Sequence, residues 1–243
     1  MTAALLLIGN ELLSGKIQEL NLQPLAKMLR ARGIELVRAV TVPDRIEIIA
    51  EEVSTLAASH EWLFTSGGVG PTHDDVTLAG VAAAFGVPVV RHPDFEARVR
   101  TQYGARLTDA HLRMADVPEG AVLVTGNPPT WPVVRKENVW IMPGVPEVFR
   151  MKLALIQEVL PQRAGFLTHS VYTNMDEGQL APLLEAVVAE FPEVEVGSYP
   201  KWFDPTYKTK LTFDGQNREK VEAASGRFVA LLPAGEPQKL ETE

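Results

Sequence analysis

The sequence contains no cysteine among its 243 residues. Disulfides, thiolate metal sites and cysteine nucleophiles are therefore excluded together. Only oxygen and nitrogen groups can carry the chemistry of this protein.

Positive charge is also scarce. The 23 Lys and Arg residues stand against 31 Asp and Glu residues, which gives a formal net charge of -8. No cluster of lysine and arginine could follow a phosphate backbone, so we expect no nucleic-acid partner. An anionic ligand would have to be held by backbone N–H groups, a metal or a few local side chains.

Long hydrophobic runs are missing as well. The apolar stretch from Ala3 to Ile8 is far shorter than the ~20 residues of a membrane helix, and no basic signal-peptide segment precedes it. We therefore predict a buried strand there, no membrane association and a cytoplasmic location. The hydrophobic fraction of 46% and the charged fraction of 22% are typical of a compact globular protein.

Strand-like and helix-like patterns alternate over the first two thirds of the chain. Strands are predicted at 3–8, 34–42, 62–65, 88–90, 121–124 and 139–142, and helices at 21–32, 44–59, before Gly86, within 94–114 and at 146–160. Such alternation predicts an α/β fold, with a mostly parallel sheet and helices on both faces. Ligands of such folds bind beyond the carboxyl ends of the strands.

The pattern changes after residue 163. A strand at 166–173, a helix at 176–191, strands at 194–199 and 207–213 and a helix at 218–228 are predicted there. We therefore divide the chain into an α/β domain at 1–163 and a small α+β domain at 166–233. The polar residues 234–243 are predicted to be a flexible tail.

A glycine-rich loop joins the third strand to the following helix. It runs from Thr65 to Asp75 and reads Thr-Ser-Gly-Gly-Val-Gly-Pro-Thr-His-Asp-Asp. Its glycines let the backbone approach a ligand, and its N–H groups can converge on phosphate oxygens. A tight strand-to-helix turn is the alternative. The loop lacks the lysine of a P-loop and the third glycine of a dinucleotide fingerprint.

Two adjacent carboxylates, Asp74 and Asp75, end this loop. One of them could cap the helix that follows, but both cannot cap the same turn. The other is then free to hold a hard cation such as Mg²⁺, which is usually bound by one or two carboxylates plus substrate phosphates. We therefore predict a metal site at these two residues. His73 beside them is either a general base or a solvated loop histidine.

Residues 65–77, which continue the loop through Val76 and Thr77, resemble the signature of the molybdopterin-binding family. The resemblance is greatest to the N-terminal region of the competence/damage-inducible protein CinA. Residues 9–15, Gly-Asn-Glu-Leu-Leu-Ser-Gly, followed by Asn21, resemble the first loop of that family, and residues 143–147, Pro-Gly-Val-Pro-Glu, resemble a late motif. Beyond residue 165, residues 197–201, Gly-Ser-Tyr-Pro-Lys, resemble a segment of the small CinA domain.

The resemblance implies roles for residues of these loops. The implied ligand-binding residues are Gly9, Glu11, Ser14, Thr65, Gly67, Gly68, Gly70, Pro71, Thr72, Asn127, Pro143, Gly144 and Glu147. Molybdopterin adenylyltransferases of the family use one aspartate after the glycine loop and another at the start of a preceding helix. Asp75 and Asp44 match these positions, which implies catalytic roles. Asp44 could equally be a helix N-cap, and Glu11 a solvated carboxylate.

One segment departs from the CinA pattern. CinA proteins have a loop of the form Asn-x-x-Gly-Thr-Ala-Pro-Gly, whereas residues 127–133 read Asn-Pro-Pro-Thr-Trp-Pro-Val. This shape is more similar to the molybdopterin-binding-like domain of eukaryotic FAD synthases. Trp131 could stack on a base or flavin, or it could plug the pocket.

The resemblance to CinA implies a metal-dependent nucleotide pyrophosphatase that acts on ADP-ribose or a related dinucleotide such as FAD. The divalent metal would be Mg²⁺, with Co²⁺ or Ni²⁺ as alternatives, and the protein would be a homo-oligomer, a dimer or a trimer. A non-catalytic protein that binds a pterin or a nucleotide is the second hypothesis, and a molybdopterin adenylyltransferase is the third. We expect no deamidase activity, because CinA proteins with that activity use a further C-terminal domain.

Overall fold

The computed structural model describes residues 1–127, 130–203 and 205–242. The chain forms two compact units. Residues 1–30 and 34–162 make up the first, and residues 31–33 and 163–243 the second. Among the described residues, no helix combines the length and the apolar character that a bilayer span requires.

A six-stranded sheet forms the centre of the first unit. In spatial order its strands are β2 (Glu35–Val42), β1 (Thr2–Ile8), β3 (Trp62–Ser66), β8 (Val139–Ile141), β7 (Val133–Lys136) and β6 (Val122–Val124). The first four run parallel, while β7 and β6 are antiparallel to their neighbours. This is the mostly parallel sheet that the alternating pattern predicts. The sequence does not predict β7, in which charged residues follow Val133 and Val134 directly.

Helices cover both faces of this sheet. They are α1 (Asn10–Leu13), α2 (Leu22–Ala31), α3 (Ile46–Ser59), α4 (Thr77–Ala84), α5 (Pro93–Tyr103), α6 (Asp109–Arg113) and α7 (Pro146–Val159). A separate antiparallel pair joins β4 (Val89–Arg91) to β5 (Asp116–Pro118).

Strand β1 explains how the two cores arise. Its side chains alternate between the faces: Leu6 packs with apolar residues of α3, α4 and α5, whereas Leu5 packs with those of α2 and α7. Both residues are fully buried. A parallel strand covered on both faces has no solvent side, which is why residues 3–8 are an unbroken apolar run.

The second unit is a four-stranded antiparallel sheet with two helices. In chain order its elements are β9 (Leu167–Thr173), α8 (Glu177–Glu190), β10 (Glu195–Pro200), β11 (Thr209–Gly215), α9 (Arg218–Leu231) and β12 (Lys239–Thr242), and the strand order is β10-β11-β9-β12. Apolar residues of α8 and α9 pack against those of the strands in one core.

Strand β12 lies where the sequence predicts a flexible tail. Residues 239–242 pair antiparallel with β9, and the Tyr172 hydroxyl donates a hydrogen bond to the Glu241 carboxylate. Leu240 is 58% exposed, so β12 lacks the pattern of buried apolar residues by which a strand is predicted from sequence. Its position comes from backbone hydrogen bonds to a strand far away in the sequence, which a local pattern does not contain.

Candidate ligand-binding site

The glycine loop leaves the carboxyl end of β3 and is tied to the end of β8. The Gly67 N–H donates to the Met142 carbonyl at 3.1 Å, and the Met142 N–H donates to the Thr65 hydroxyl oxygen at 3.3 Å. Thr65 is completely buried. These bonds fix the start of the loop, so Thr65 has a positioning role and does not reach a ligand.

Close packing requires glycine in this loop. Gly67 has a φ of +110°, and a Cβ there would lie 2.1 Å from the Ile8 carbonyl oxygen. On its other side, a Cβ on Gly144 would lie 3.2 Å from the Gly67 Cα. The backbone of the glycine loop is thus held between the end of β1 and the late Pro-Gly motif.

Asn21 connects three loops and was not predicted as a site residue. Its side-chain amide donates to the Ser66 hydroxyl oxygen at 2.9 Å and to the Gly144 carbonyl at 2.8 Å. Only 4% of Asn21 is exposed. The sequence offers Asn21 only as part of the first-loop motif, because these partners lie 45 and 123 residues away.

Three consecutive N–H groups of the loop point to anion binding. The N–H groups of Gly68, Val69 and Gly70 have no acceptor among the described residues. All three residues line a cavity of about 560 Å³. Thr77 fixes the backbone of the loop: its N–H donates to the Gly68 carbonyl, and its hydroxyl donates to the Gly67 carbonyl. Successive unpaired N–H groups form a concavity that suits phosphate oxygens.

The two loop carboxylates do not cap α4. Its N-cap is Val76, without a side-chain cap. The Thr72 hydroxyl instead lies 2.5 Å from an oxygen of each carboxylate, Asp74 and Asp75, and the Thr72 N–H donates to Asp75 at 2.8 Å. The hydroxyl bond lowers the pKa of Asp74, with a smaller contribution from its backbone bond. Asp75 lines the cavity.

The donor set fits a cation that also binds the ligand. Within the described parts of the chain, no group of three or more His, Asp or Glu residues could hold a metal by protein ligands alone. Asp74 and Asp75 supply the one or two carboxylates that Mg²⁺ commonly takes beside substrate phosphates. The side chain of His73 is 98% exposed, which favours a solvated histidine.

Asp44 has a different role from helix capping. Arg45 is the N-cap of α3, and the Asp44 carboxylate accepts a hydrogen bond from the Asn10 N–H at 2.7 Å. Asp44 is not among the residues that line the cavity. It therefore fastens the first loop to the end of β2, which places Glu11 at the cavity.

The remaining predicted residues divide into two groups. Glu11, Pro143 and Gly144 line the cavity, whereas Gly9, Ser14, Pro71, Thr72, Asn127 and Glu147 do not. The Gly9 N–H donates to the Val42 carbonyl at 3.1 Å, and the Pro71 carbonyl accepts from Arg113 at 2.7 Å. These contacts build the loops. Pro128 and Pro129 of the altered 127–133 segment lie outside the described residues.

Apolar side chains form much of the cavity lining. The rings of Trp131 and Phe95 meet edge to face, with centroids 5.2 Å apart and an interplanar angle of 72°. Leu78, Met114 and Ile141 complete this wall. Trp131 therefore stands in the wall and leaves the cavity open, which suits a planar ring better than a plug.

A buried lysine, which sequence reasoning missed, lies in the same wall. Lys152 of α7 is 7% exposed and lines the cavity. Its ammonium group donates to the Trp131 carbonyl, and no carboxylate among the described residues pairs with it. Burial lowers its pKa to about 8. In the sequence, a lysine on a helix indicates a solvated face, so nothing marks it out.

The lowered pKa of Lys152 predicts how stability depends on pH. Between about pH 8 and pH 10.5 the unfolded chain binds the proton and the folded protein does not, so stability rises with pH over this window. The shift corresponds to about 3 kcal/mol in the free energy of unfolding. Urea unfolding at several pH values in this window should show that rise in stability for the parent protein and not for Lys152→Met. Parallel profiles for the parent and the variant would contradict the burial of the charge.

The fold and the site together describe an α/β domain with a cradle of unpaired N–H groups and an adjacent carboxylate pair, a geometry suited to small anionic ligands. Residues 4–162 match the family described as the probable molybdopterin binding domain, and the chain belongs to that family. Residues 165–241 match the middle domain of FAD synthase. The predicted family resemblance is confirmed.

Individual relatives agree with both matches. A protein of Archaeoglobus fulgidus is 34% identical over 225 residues, which covers 93% of this chain and 95% of that protein. A probable FAD synthase of Caenorhabditis elegans is 32% identical over 95% of this chain, which spans 50% of the worm protein. A CinA-like protein of Frankia casuarinae is 32% identical over 92% of this chain and 54% of its own length.

A solved structure supports the fold. The protein CinA from Thermoplasma acidophilum is 27% identical, with a TM-score of 0.60, over 66% of this chain and 99% of that structure.

Proposed function

We propose that this protein is a metal-dependent nucleotide pyrophosphatase that acts on ADP-ribose or a related dinucleotide such as FAD. The observation that carries the proposal is the meeting of three unpaired N–H groups, at Gly68, Val69 and Gly70, with the Asp75 carboxylate in one cavity. The N–H groups would hold the diphosphate, and the carboxylate lies where a cation could neutralise it.

Each part of the cavity has a role in this proposal. Asp75 and Asp74 would hold Mg²⁺, or else Co²⁺ or Ni²⁺, and the ion would supply Lewis acidity at the diphosphate. The apolar wall around Trp131 and Phe95 would accept the ring of the substrate. Asp44 acts through Asn10 as a positioning residue for the first loop.

The relatives support a nucleotide ligand. One of them is named a probable FAD synthase and another a CinA-like protein. Molybdopterin adenylyl transfer is the second candidate function, because residues 4–162 match the probable molybdopterin binding domain. Pterin or nucleotide binding without turnover is the third. A homo-oligomer, dimeric or trimeric, and a cytoplasmic location belong to the same proposal.

A product assay tests the proposal. The protein is incubated with ADP-ribose, FAD or ATP, each with Mg²⁺, Co²⁺ or Ni²⁺, and with a chelator as the control. We expect AMP release from ADP-ribose or FAD that stops in the chelator. If none of the metals supports AMP release, the proposed pyrophosphatase activity is rejected.

Two further readouts separate the alternatives. A ligand that stays bound without turnover would support the binding protein. Adenylylated molybdopterin that forms only when ATP and molybdopterin are both present would support the transferase. Light scattering of the same sample measures the expected dimer or trimer.

A further inference from the structure

The cavity lining combines the N–H groups of the glycine loop with two packed aromatic rings, Trp131 and Phe95, which we call its aromatic end. Gly144 lies against Gly67, so α7 begins beside the glycine loop. Lys152 follows Pro146 by six residues, which is about 9 Å along a helix with a rise of 1.5 Å per residue. The ammonium group of Lys152 meets the Trp131 carbonyl, so Lys152 lies at the aromatic end of the cavity.

The ammonium group of Lys152 has donors to spare. It carries three N–H bonds, and the Trp131 carbonyl is its only acceptor among the described residues. The residue is 7% exposed, so little of its surface meets bulk solvent. A buried charge with unmade hydrogen bonds costs stability, and a ligand that supplies an acceptor removes that cost.

The surroundings of Lys152 indicate which acceptor it meets. Its neighbours in the cavity wall are apolar or aromatic, which suits a flat ring and not a second phosphate. A ring that enters this end must present an acceptor to the ammonium group. Carbonyl oxygens at the edge of a pyrimidinedione or pterin ring meet this need well, whereas adenine accepts only through ring nitrogens and places an amino donor beside two of them.

We propose that Lys152 is a specificity-determining residue, which donates a hydrogen bond to a carbonyl oxygen on the heteroaromatic ring of the ligand. The cavity would thereby prefer carbonyl-bearing rings, such as isoalloxazine or pterin, over adenine at this end. The inference rests on the proposed function, in which the glycine loop holds the diphosphate. It adds that the carbonyl-bearing half of a dinucleotide lies beside α7.

Calorimetric titration with two probes tests this assignment. Riboflavin 5′-phosphate carries ring carbonyls and AMP does not, while both carry one phosphate. Lys152→Met keeps the length of the side chain but removes the donors. We expect it to weaken riboflavin 5′-phosphate binding by about 10- to 100-fold, in line with a hydrogen bond to a charged group. AMP binding should change by less than about threefold, because the amino donor beside the adenine ring nitrogens opposes an ammonium group there.

A second buried lysine gives a matched control. Lys136 is 8% exposed, lies outside the cavity lining and donates to the Glu119 carbonyl at 2.9 Å. Lys136→Met should leave the affinity for both probes unchanged. Riboflavin 5′-phosphate affinity of the parent should also fall above about pH 8, and that fall should vanish in Lys152→Met.

The outcomes separate the inference from the proposed function. If both probes bind and Lys152→Met weakens them equally, or weakens neither, Lys152 does not read the ring and this inference is overturned alone. If neither probe binds to the parent protein, the inference is overturned, and the AMP-release assay decides separately whether the proposed function stands. Thermal unfolding of each variant confirms that a folded protein is compared.

Discussion

Gly67→Ala is expected to lower the free energy of unfolding by about 3 kcal/mol and to abolish ligand binding. At a φ of +110°, the new Cβ would lie 2.1 Å from the Ile8 carbonyl oxygen. That oxygen belongs to the end of β1, whose residues 3–8 are all buried, and cannot withdraw cheaply. The loop must move instead, which displaces the N–H groups of Gly68 and Gly70.

A glycine in an open position provides the control. Gly86 has a φ of +63°, but nothing lies within 4 Å of a Cβ built there. Gly86→Ala should therefore lower the free energy of unfolding by only about 1 kcal/mol, which is the cost of alanine in the left-handed conformation. Urea unfolding of both variants gives the comparison. Equal losses in the two variants would mean that the contact between Gly67 and Ile8 does not constrain the loop.

Asp75→Asn is expected to lower the rate of nucleotide hydrolysis by at least about 100-fold, if the proposed pyrophosphatase is correct. In the parent protein the Asp75 carboxylate accepts a hydrogen bond from the Thr72 N–H at 2.8 Å. The amide oxygen of the asparagine can accept the same bond, so the loop should keep its shape. The negative charge that would hold the divalent cation is lost. AMP release and calorimetric titration with Mg²⁺ measure the two effects separately.

Two further variants limit the interpretation. Asp109→Asn removes an exposed carboxylate from the first turn of α6 and should leave AMP release unchanged. Asp75→Ala removes the acceptor as well as the charge, so it should reduce stability in addition to activity. Full activity of Asp75→Asn in Mg²⁺ would exclude Asp75 as a metal ligand.

The predicted elements agree best where local pattern and burial coincide. Helix α2 was predicted at 21–32 and lies at Leu22–Ala31, and α7 was predicted at 146–160 and lies at Pro146–Val159. Both helices have an apolar stripe that faces a core. Strands β7 and β12 were not predicted, because short strands at or near a sheet edge are held by backbone bonds to distant neighbours.

In the candidate site, too, residues of a local motif were predicted and residues held by distant contacts were not. The sequence located the glycine loop and the Asp74 and Asp75 carboxylates, because these residues are contiguous and form a motif. It gave Asn21 only as part of the first-loop motif, and it did not indicate Lys152. The hydrogen bonds of Asn21 reach across 45 and 123 residues, and Lys152 donates to the Trp131 carbonyl, 21 residues away.

The sequence by itself thus determined the alternating α/β pattern, the family and the position of the glycine loop, all of which are local in the chain. Only the tertiary structure decided which side chains face the cavity. It placed Asp44 on the Asn10 N–H and kept Thr65 in the core. It also brought Gly144 against Gly67 and left Lys152 buried without a carboxylate partner among the described residues. The physical reason is that these contacts join segments far apart in the chain, and burial is a property of the packed fold.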